Sequence, residues 1–168
     1  MADRSTILQL GDSVILKRVF VGVVLSFVAV SACAKEGGFL GRWTIERADS
    51  APWNEAGYTP DKAIADTYVG KTVRFEANRI DGPDLLACKN TTYQFVDVPA
   101  EGLFQGGLAQ TDAEIPKARE TAIKMGFKTQ PIRTATTNCE HDIAFHMSDD
   151  DHAAFALDNW IFWMKRVR

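Results

Sequence analysis

The stretch Ser148-Asp149-Asp150-Asp151-His152, with His141 and His146 just before it, gathers the residue types in this sequence that could do chemistry. Carboxylates and imidazoles together bind divalent metals, which makes His146, Asp149, Asp151 and His152 the candidate ligands. Their spacing argues for something plainer. His141 and His146 are five apart, so on a regular strand they face opposite sides. Consecutive Asp residues are what a hairpin turn selects, because their side chains bond nearby backbone amides. The alternating acidic ligands and central Gly of a calcium loop are missing. We therefore expect a solvated turn, with no metal and no cofactor.

A nucleophile with its base is no better supported. No Gly-x-Ser-x-Gly occurs, and Ser148, next to His146 and His152, is the one Ser close to a His in sequence. Sequence proximity says little about a triad, whose members meet in space. With no acid, base or nucleophile assigned, binding is the expected activity. The alternative is a periplasmic hydrolase or metal-dependent enzyme using His146, the Asp149 to Asp151 turn and His152.

A second candidate is the loop Glu101-Gly102-Leu103-Phe104-Gln105-Gly106-Gly107, whose glycines permit unusual backbone angles around Leu103 and Phe104. Those two side chains either insert into a partner's cleft or fold back as a lid on the core. Large apolar groups are rarely left exposed, which favours the lid.

The third chemistry is that of cysteine. Cys88 has only Lys89 beside it and Cys139 adjoins Glu140, so neither has the electropositive neighbourhood of a reactive thiol. In an oxidising compartment the two are expected to pair. Cys33 belongs to a different feature. Arg4, Lys17 and Arg18 precede an uncharged apolar run, Val19 to Ala34, which at 16 residues is short of the ~20 that span a bilayer. This is the layout of a secretory signal peptide occupying residues 1–34, with a single domain over 35–168. Val30-Ser31-Ala32-Cys33 resembles the lipobox of bacterial lipoproteins, which implies a lipidated Cys33, a membrane held through that anchor, and a place in the periplasm or at the outer membrane of a bacterium. Ala32-Cys33-Ala34 also fits ordinary cleavage, which would release a soluble protein starting at Lys35.

The elements that must position these residues are mostly strands. Phe39, Gly41, Trp43 and Ile45 alternate with Leu40, Arg42, Thr44 and Glu46, and Val73, Phe75 and Ala77 alternate in the same way. Further strands are expected over Thr91 to Val98, over Ile132 to Cys139, through Ile143 to Met147, around Phe155 and Leu157, and from Trp160 to Arg166, with Asp158-Asn159 as a turn. Two helices interrupt them. One is capped by Thr59 with Pro60 first and runs to about Thr67; the other lies between Asp112 and Met125 and ends at Gly126. The fold class is mainly β with two minor helices, a small antiparallel barrel or strongly curved sheet of seven or so strands.

Gly41-Arg42-Trp43, with Lys165 or Arg166 near the end of the chain, resembles lipocalin-like (calycin) barrels. In those, a Gly-x-Trp opens the first strand and a basic side chain from the last strand lies over the Trp. The predicted inner faces carry Trp43, Phe75, Tyr93, Phe95, Phe145, Phe155, Trp160 and Phe162. Whether that interior is packed or hollow decides whether it can hold a small apolar ligand. From Lys35 onward, 16 Lys and Arg against 20 Asp and Glu lie scattered, without the clustered basic face of a nucleic-acid binder. The function expected is thus non-enzymatic binding of a small apolar ligand or an envelope protein. The intact mass of protein from a native membrane fraction should correspond to a chain starting at Cys33 plus lipid; a soluble species starting at Lys35 would remove the anchor.

Overall fold

The structure is a computed structural model that describes residues 38–168; the expected signal peptide and Cys33 lie outside the described residues. Nine strands form one antiparallel sheet: β1 (Gly41–Ser50), β2 (Thr72–Glu76), β3 (Arg79–Asp81), β4 (Cys88–Lys89), β5 (Tyr93–Val98), β6 (Ile132–Thr137), β7 (Phe145–Met147), β8 (His152–Leu157) and β9 (Trp160–Val167). Their spatial order is β4-β3-β2-β1-β9-β8-β7-β6-β5. Two helices, α1 (Lys62–Tyr68) and α2 (Ile115–Met125), complete it. The mainly β, strongly curved sheet expected from the alternation is what forms. The two strands the sequence does not announce, β3 and β4, have three and two residues, too few to show a period of two.

Local chemistry sets the element ends. Asp61, rather than Thr59, caps α1, its carboxylate accepting from the Ala63 amide at 2.9 Å. Thr111 and Glu114 form a capping box ahead of α2, and Pro116 sits in the first turn, where its missing N–H costs nothing. Gly126, at φ 107°, ends α2 in a left-handed conformation that suits a residue without Cβ. Asp158 and Asn159, at φ 49° and 65°, form the two-residue turn between β8 and β9.

The curl has a topological cause. Every pairing is antiparallel, so β4 and β5, at opposite edges of the sheet, run in the same direction. Only Asn90, Thr91 and Thr92 separate them in the chain. The two edges are therefore parts of one passage of chain, and the sheet bends into a half-barrel to let that passage serve both. Asn90 makes the step in a left-handed conformation, φ 57°. Across the junction, the Thr91 amide donates to the Asn78 carbonyl at 2.9 Å and the Tyr93 hydroxyl to that of Glu76 at 2.9 Å. The Cys88–Cys139 disulfide then ties β4 to the end of β6.

Both faces of the sheet are packed. The concave face holds Phe39, Trp43, Phe75, Phe145, Phe155, Phe162 and Met164, with Tyr93, Phe95 and Trp160 against them. All eight aromatic residues predicted for the inner face lie in this cluster. The end of the concave face near the β1–β2 connection is plugged by α1, whose Tyr68 ring packs edge-on to Phe162 with its centroid 5.2 Å away. On the convex side, α2 and the 100–106 segment cover Ala154, Ile161 and Trp163 in a second core. Gly107 fits there because a Cβ would come within 2.7 Å of the Trp53 ring.

Closing a loop of 51 residues should stabilise the fold by about 4 kcal/mol in the chain-entropy model. Denaturant unfolding of a Cys88→Ser/Cys139→Ser double variant should show a loss of roughly 2–5 kcal/mol; an unchanged midpoint would mean that the chain passage holds the two edges together without the bridge.

Candidate functional site

One end of the sheet is where β1 starts and β9 ends, and a single guanidinium organises it. Gly41 stands at φ 127°, and a Cβ there would meet Arg166 Nη1 at 3.3 Å, so glycine is required for both its backbone angle and its lack of a side chain. Arg166 lies over Trp43, its Cζ 4.4 Å from the ring centroid. It donates from Nη1 to the Leu40 carbonyl at 2.9 Å and from Nε to the Asp150 carbonyl at 3.2 Å, while Trp43 Nε1 donates to the Phe39 carbonyl at 2.9 Å. Of the two basic residues considered for this place, Arg166 occupies it; Lys165 points away, 3.9 Å from Glu46.

Around this staple opens a cleft of about 640 Å3. Strand register explains its lining. Phe95 pairs with Ala135, Ala135 with Phe145, and Ala153 with Met164, all facing the concave core. Two residues further along each strand, the same face carries Asp97, Arg133, Met147, Asp151 and Arg166. The cleft is the mouth of the half-barrel, a charged collar above an aromatic interior. Below the mouth the concave side is full. The rings of Trp43, Phe75, Tyr93, Phe95 and Phe145 surround Phe39 at centroid distances of 4.4–6.1 Å. A pocket beside Ile80, Leu86 and Phe145 measures about 10 Å3, which admits no more than a water.

The Ser148 to His152 cluster is a turn, as its composition predicts. Asp149 Oδ1 accepts from the amides of Asp151 and His152, each at 2.8 Å, and its carboxylate meets His152 Nδ1 at 2.9 Å. Partial burial pushes the Asp149 carboxyl up, but these backbone and imidazole bonds outweigh it and hold the group below its usual range. The Ser148 hydroxyl donates to the His152 carbonyl at 3.3 Å rather than approaching the ring.

His146 has a structural task. It is buried on the convex side, and its Nε2 accepts from the Phe104 amide at 3.0 Å. The ring proton is therefore on Nδ1, donated to Thr134 Oγ1 at 2.9 Å, and Thr134 donates onward to the Ile132 carbonyl. Phe104 and Gln105 both have positive φ, 52° and 54°, a strained pair that this bond helps to hold. Leu103 and Phe104, considered as a partner loop, are instead buried, 0% and 3% exposed, in the second core. Gly-flanked flexibility let them turn inward, where their apolar area is removed from water.

The residues considered as metal ligands thus do not converge. His146 has both ring nitrogens engaged under Phe104, His152 is spoken for by Asp149, and His141 is exposed in the turn before β7. Among the described residues, no group of three or more His, Cys, Asp or Glu is placed to hold a metal ion. Sequence reasoning missed Asp97, Arg133 and Arg168 as cleft residues. A signal was present, since Asp97 continues the Tyr93, Phe95 alternation and so marks a charge on the inner face. Compared with protein-family models, curated proteins and solved structures, the chain matches none. Fold and site together define it as a strongly curled antiparallel sheet with a packed interior and a mixed-charge cleft at its mouth.

Burial lowers the His146 pKa from 6.5 to about 4. The unfolded chain takes up this proton from pH 6.5 downward while the folded one resists until about 4, so the stability present above 6.5 is lost across that window, by about 3 kcal/mol. Urea unfolding of wild type and a His146→Gln variant should show their stability difference narrowing by that amount between pH 7 and 4; parallel curves would refute a buried neutral imidazole.

Proposed function

We propose that this is an exported, non-enzymatic binding protein of a bacterial cell envelope, which takes a small ligand in the cleft at the mouth of its curled sheet. The cleft itself carries the reading. Its volume, about 640 Å3, is within the range of small-molecule sites, ~300–1,000 Å3, and its lining sets the apolar surface of Met147 and Pro131 among four carboxylates and three guanidiniums. The packed concave interior turns the expectation of an engulfed apolar ligand into one of a ligand seated at the mouth. The Gly41-Arg42-Trp43 start of β1 under Arg166 supports the resemblance to lipocalin-like barrels. The Cys88–Cys139 bridge supports folding in an oxidising compartment, in keeping with a signal peptide and with lipidation at Cys33 as the membrane anchor.

The hydrolase alternative rests on the His152–Asp149 pair. His152 precedes Ala153, which faces the concave core, and so leaves the strand on the opposite face; of the pair only Asp149 lines the cleft. A thermal-shift screen against small molecules extracted from the host separates these readings. Saturating ligand, at ~100 times its Kd, should stabilise the wild type by about 2.7 kcal/mol. A Thr129→Trp variant, which fills the cleft from its exposed rim, should show no such shift. Shifts equal in both proteins, or none in either, would overturn the proposal. Turnover of a screened compound that disappears in His152→Ala would favour the hydrolase.

A further inference from the structure

The charges of the mouth are not equivalent, and sorting them by partner leaves one carboxylate without a partner and one guanidinium with an ion pair but no hydrogen bond. Of the four cleft carboxylates, Asp149 is held by His152 and two backbone amides. Asp151 pairs with Arg166 and Arg168, and Asp97 stands beside Arg133. Asp150 alone has a carboxylate with no ion pair or hydrogen bond among the described residues; only its backbone carbonyl is used, by Arg166. Of the three cleft guanidiniums, Arg166 is consumed by the Leu40 and Asp150 carbonyls and Arg168 by Asp151. Arg133 is different. Its guanidinium lies over the Phe95 ring, Cζ 5.1 Å from the centroid, and it is ion-paired with Asp97 Oδ1 at 3.7 Å, beyond hydrogen-bond reach, so its N–H donors stay open to a ligand. No described residue is hydrogen-bonded to it, although its side chain is two-thirds covered, 33% exposed.

A stacked guanidinium is fixed in orientation while its N–H donors remain at the ring edge, the arrangement that takes a carboxylate through two parallel bonds. A free carboxylate on the same cleft is the complement for an ammonium group. Met147 and Pro131 supply apolar surface in the same lining. We propose that the mouth binds a small zwitterion with an apolar body, a free amino acid or short peptide, its carboxylate on Arg133 and its ammonium on Asp150. The assignment rests on the reading of the cleft as a ligand site and specifies the chemistry of its occupant. A purely anionic ligand would meet Asp97 and Asp150, and a purely cationic one would meet Arg133; a molecule carrying both charges satisfies each.

The test is titration calorimetry of the wild-type protein with the dipeptide Leu-Leu, its N-acetyl derivative and its C-terminal amide. Leu-Leu should bind, and blocking either end should weaken binding at least tenfold. In Arg133→Gln the acid and the amide should bind alike, and in Asp150→Asn the free and acetylated amines should bind alike; unchanged unfolding midpoints check that both variants are folded. Equal affinity of all three probes for wild type, or an unchanged preference in either variant, would overturn the assignment. So would failure of Leu-Leu to bind while compounds from the host extract still shift wild type and not Thr129→Trp, an outcome that leaves the cleft as a ligand site but of other chemistry. Failure of every compound would remove both readings.

Discussion

The Cys88–Cys139 bridge and the three-residue step Asn90–Thr92 join two edges of one sheet, and most of the molecule follows from that tie. A nine-stranded antiparallel sheet left open would present two rows of unpaired backbone groups and a single packed face. Here the passage through β4 and β5 pairs first with β3 and then with β6, so the sheet must curl into a half-barrel that brings its two edge strands end to end. Curvature in turn defines a concave side narrow enough for Phe39 to touch rings from both halves of the sheet, Phe75 from β2 and Phe145 from β7. The junction is reinforced where regular pairing lapses: Asn138 donates to the Asn90 carbonyl and accepts from the Thr92 amide.

The same curvature leaves the convex side of β6 to β9 needing its own cover. Ala154, Ile161 and Trp163 alternate with concave-facing residues, so these strands are apolar on both faces. α2 and the 100–106 segment supply the cover, and the segment reaches its position only by placing Phe104 and Gln105 in left-handed backbone conformations. His146 is the polar group that makes this tolerable. A buried N–H at Phe104 would otherwise be left without an acceptor, at a cost of about 1–3 kcal/mol, and a neutral imidazole supplies one at the expense of its own basicity.

Function follows from where packing stops. Along β5, β6 and β9 the inner face changes from aromatic or aliphatic to charged within two residues, as Phe95 gives way to Asp97 and Met164 to Arg166. Such groups cannot enter the core without partners, so the chain ends its packing there and leaves a wet cleft whose walls are rigid strand ends. Arg166 is the keystone of that rim because it holds Leu40, Trp43 and the Asp150 carbonyl at once, fixing the turn that carries Asp150.

The sequence by itself determined the strand alternation, the inner aromatic set, the α2 boundaries, the Asp158-Asn159 turn and the pairing of two cysteines, because each depends on neighbours within a few residues or on a count. Trp43 beneath a basic residue from the last strand, Lys165 or Arg166, was legible only through the resemblance to lipocalin-like barrels. What only the tertiary structure decided are matters of long-range register. The choice of Arg166 over Lys165 is a question of face, fixed when β9 pairs with β1 so that Arg166 stands opposite Trp43. The inward turn of Leu103 and Phe104 depends on a convex surface built from strands some 40 to 60 residues later in the chain. Short β3 and β4 exist because a neighbour pairs with them, and His146 is structural because Phe104 arrives above it. The cleft is the plainest case: Asp97 and Arg133 are unremarkable polar residues in the sequence, and only the curl of the sheet brings them to one mouth with Asp150 of the acidic turn.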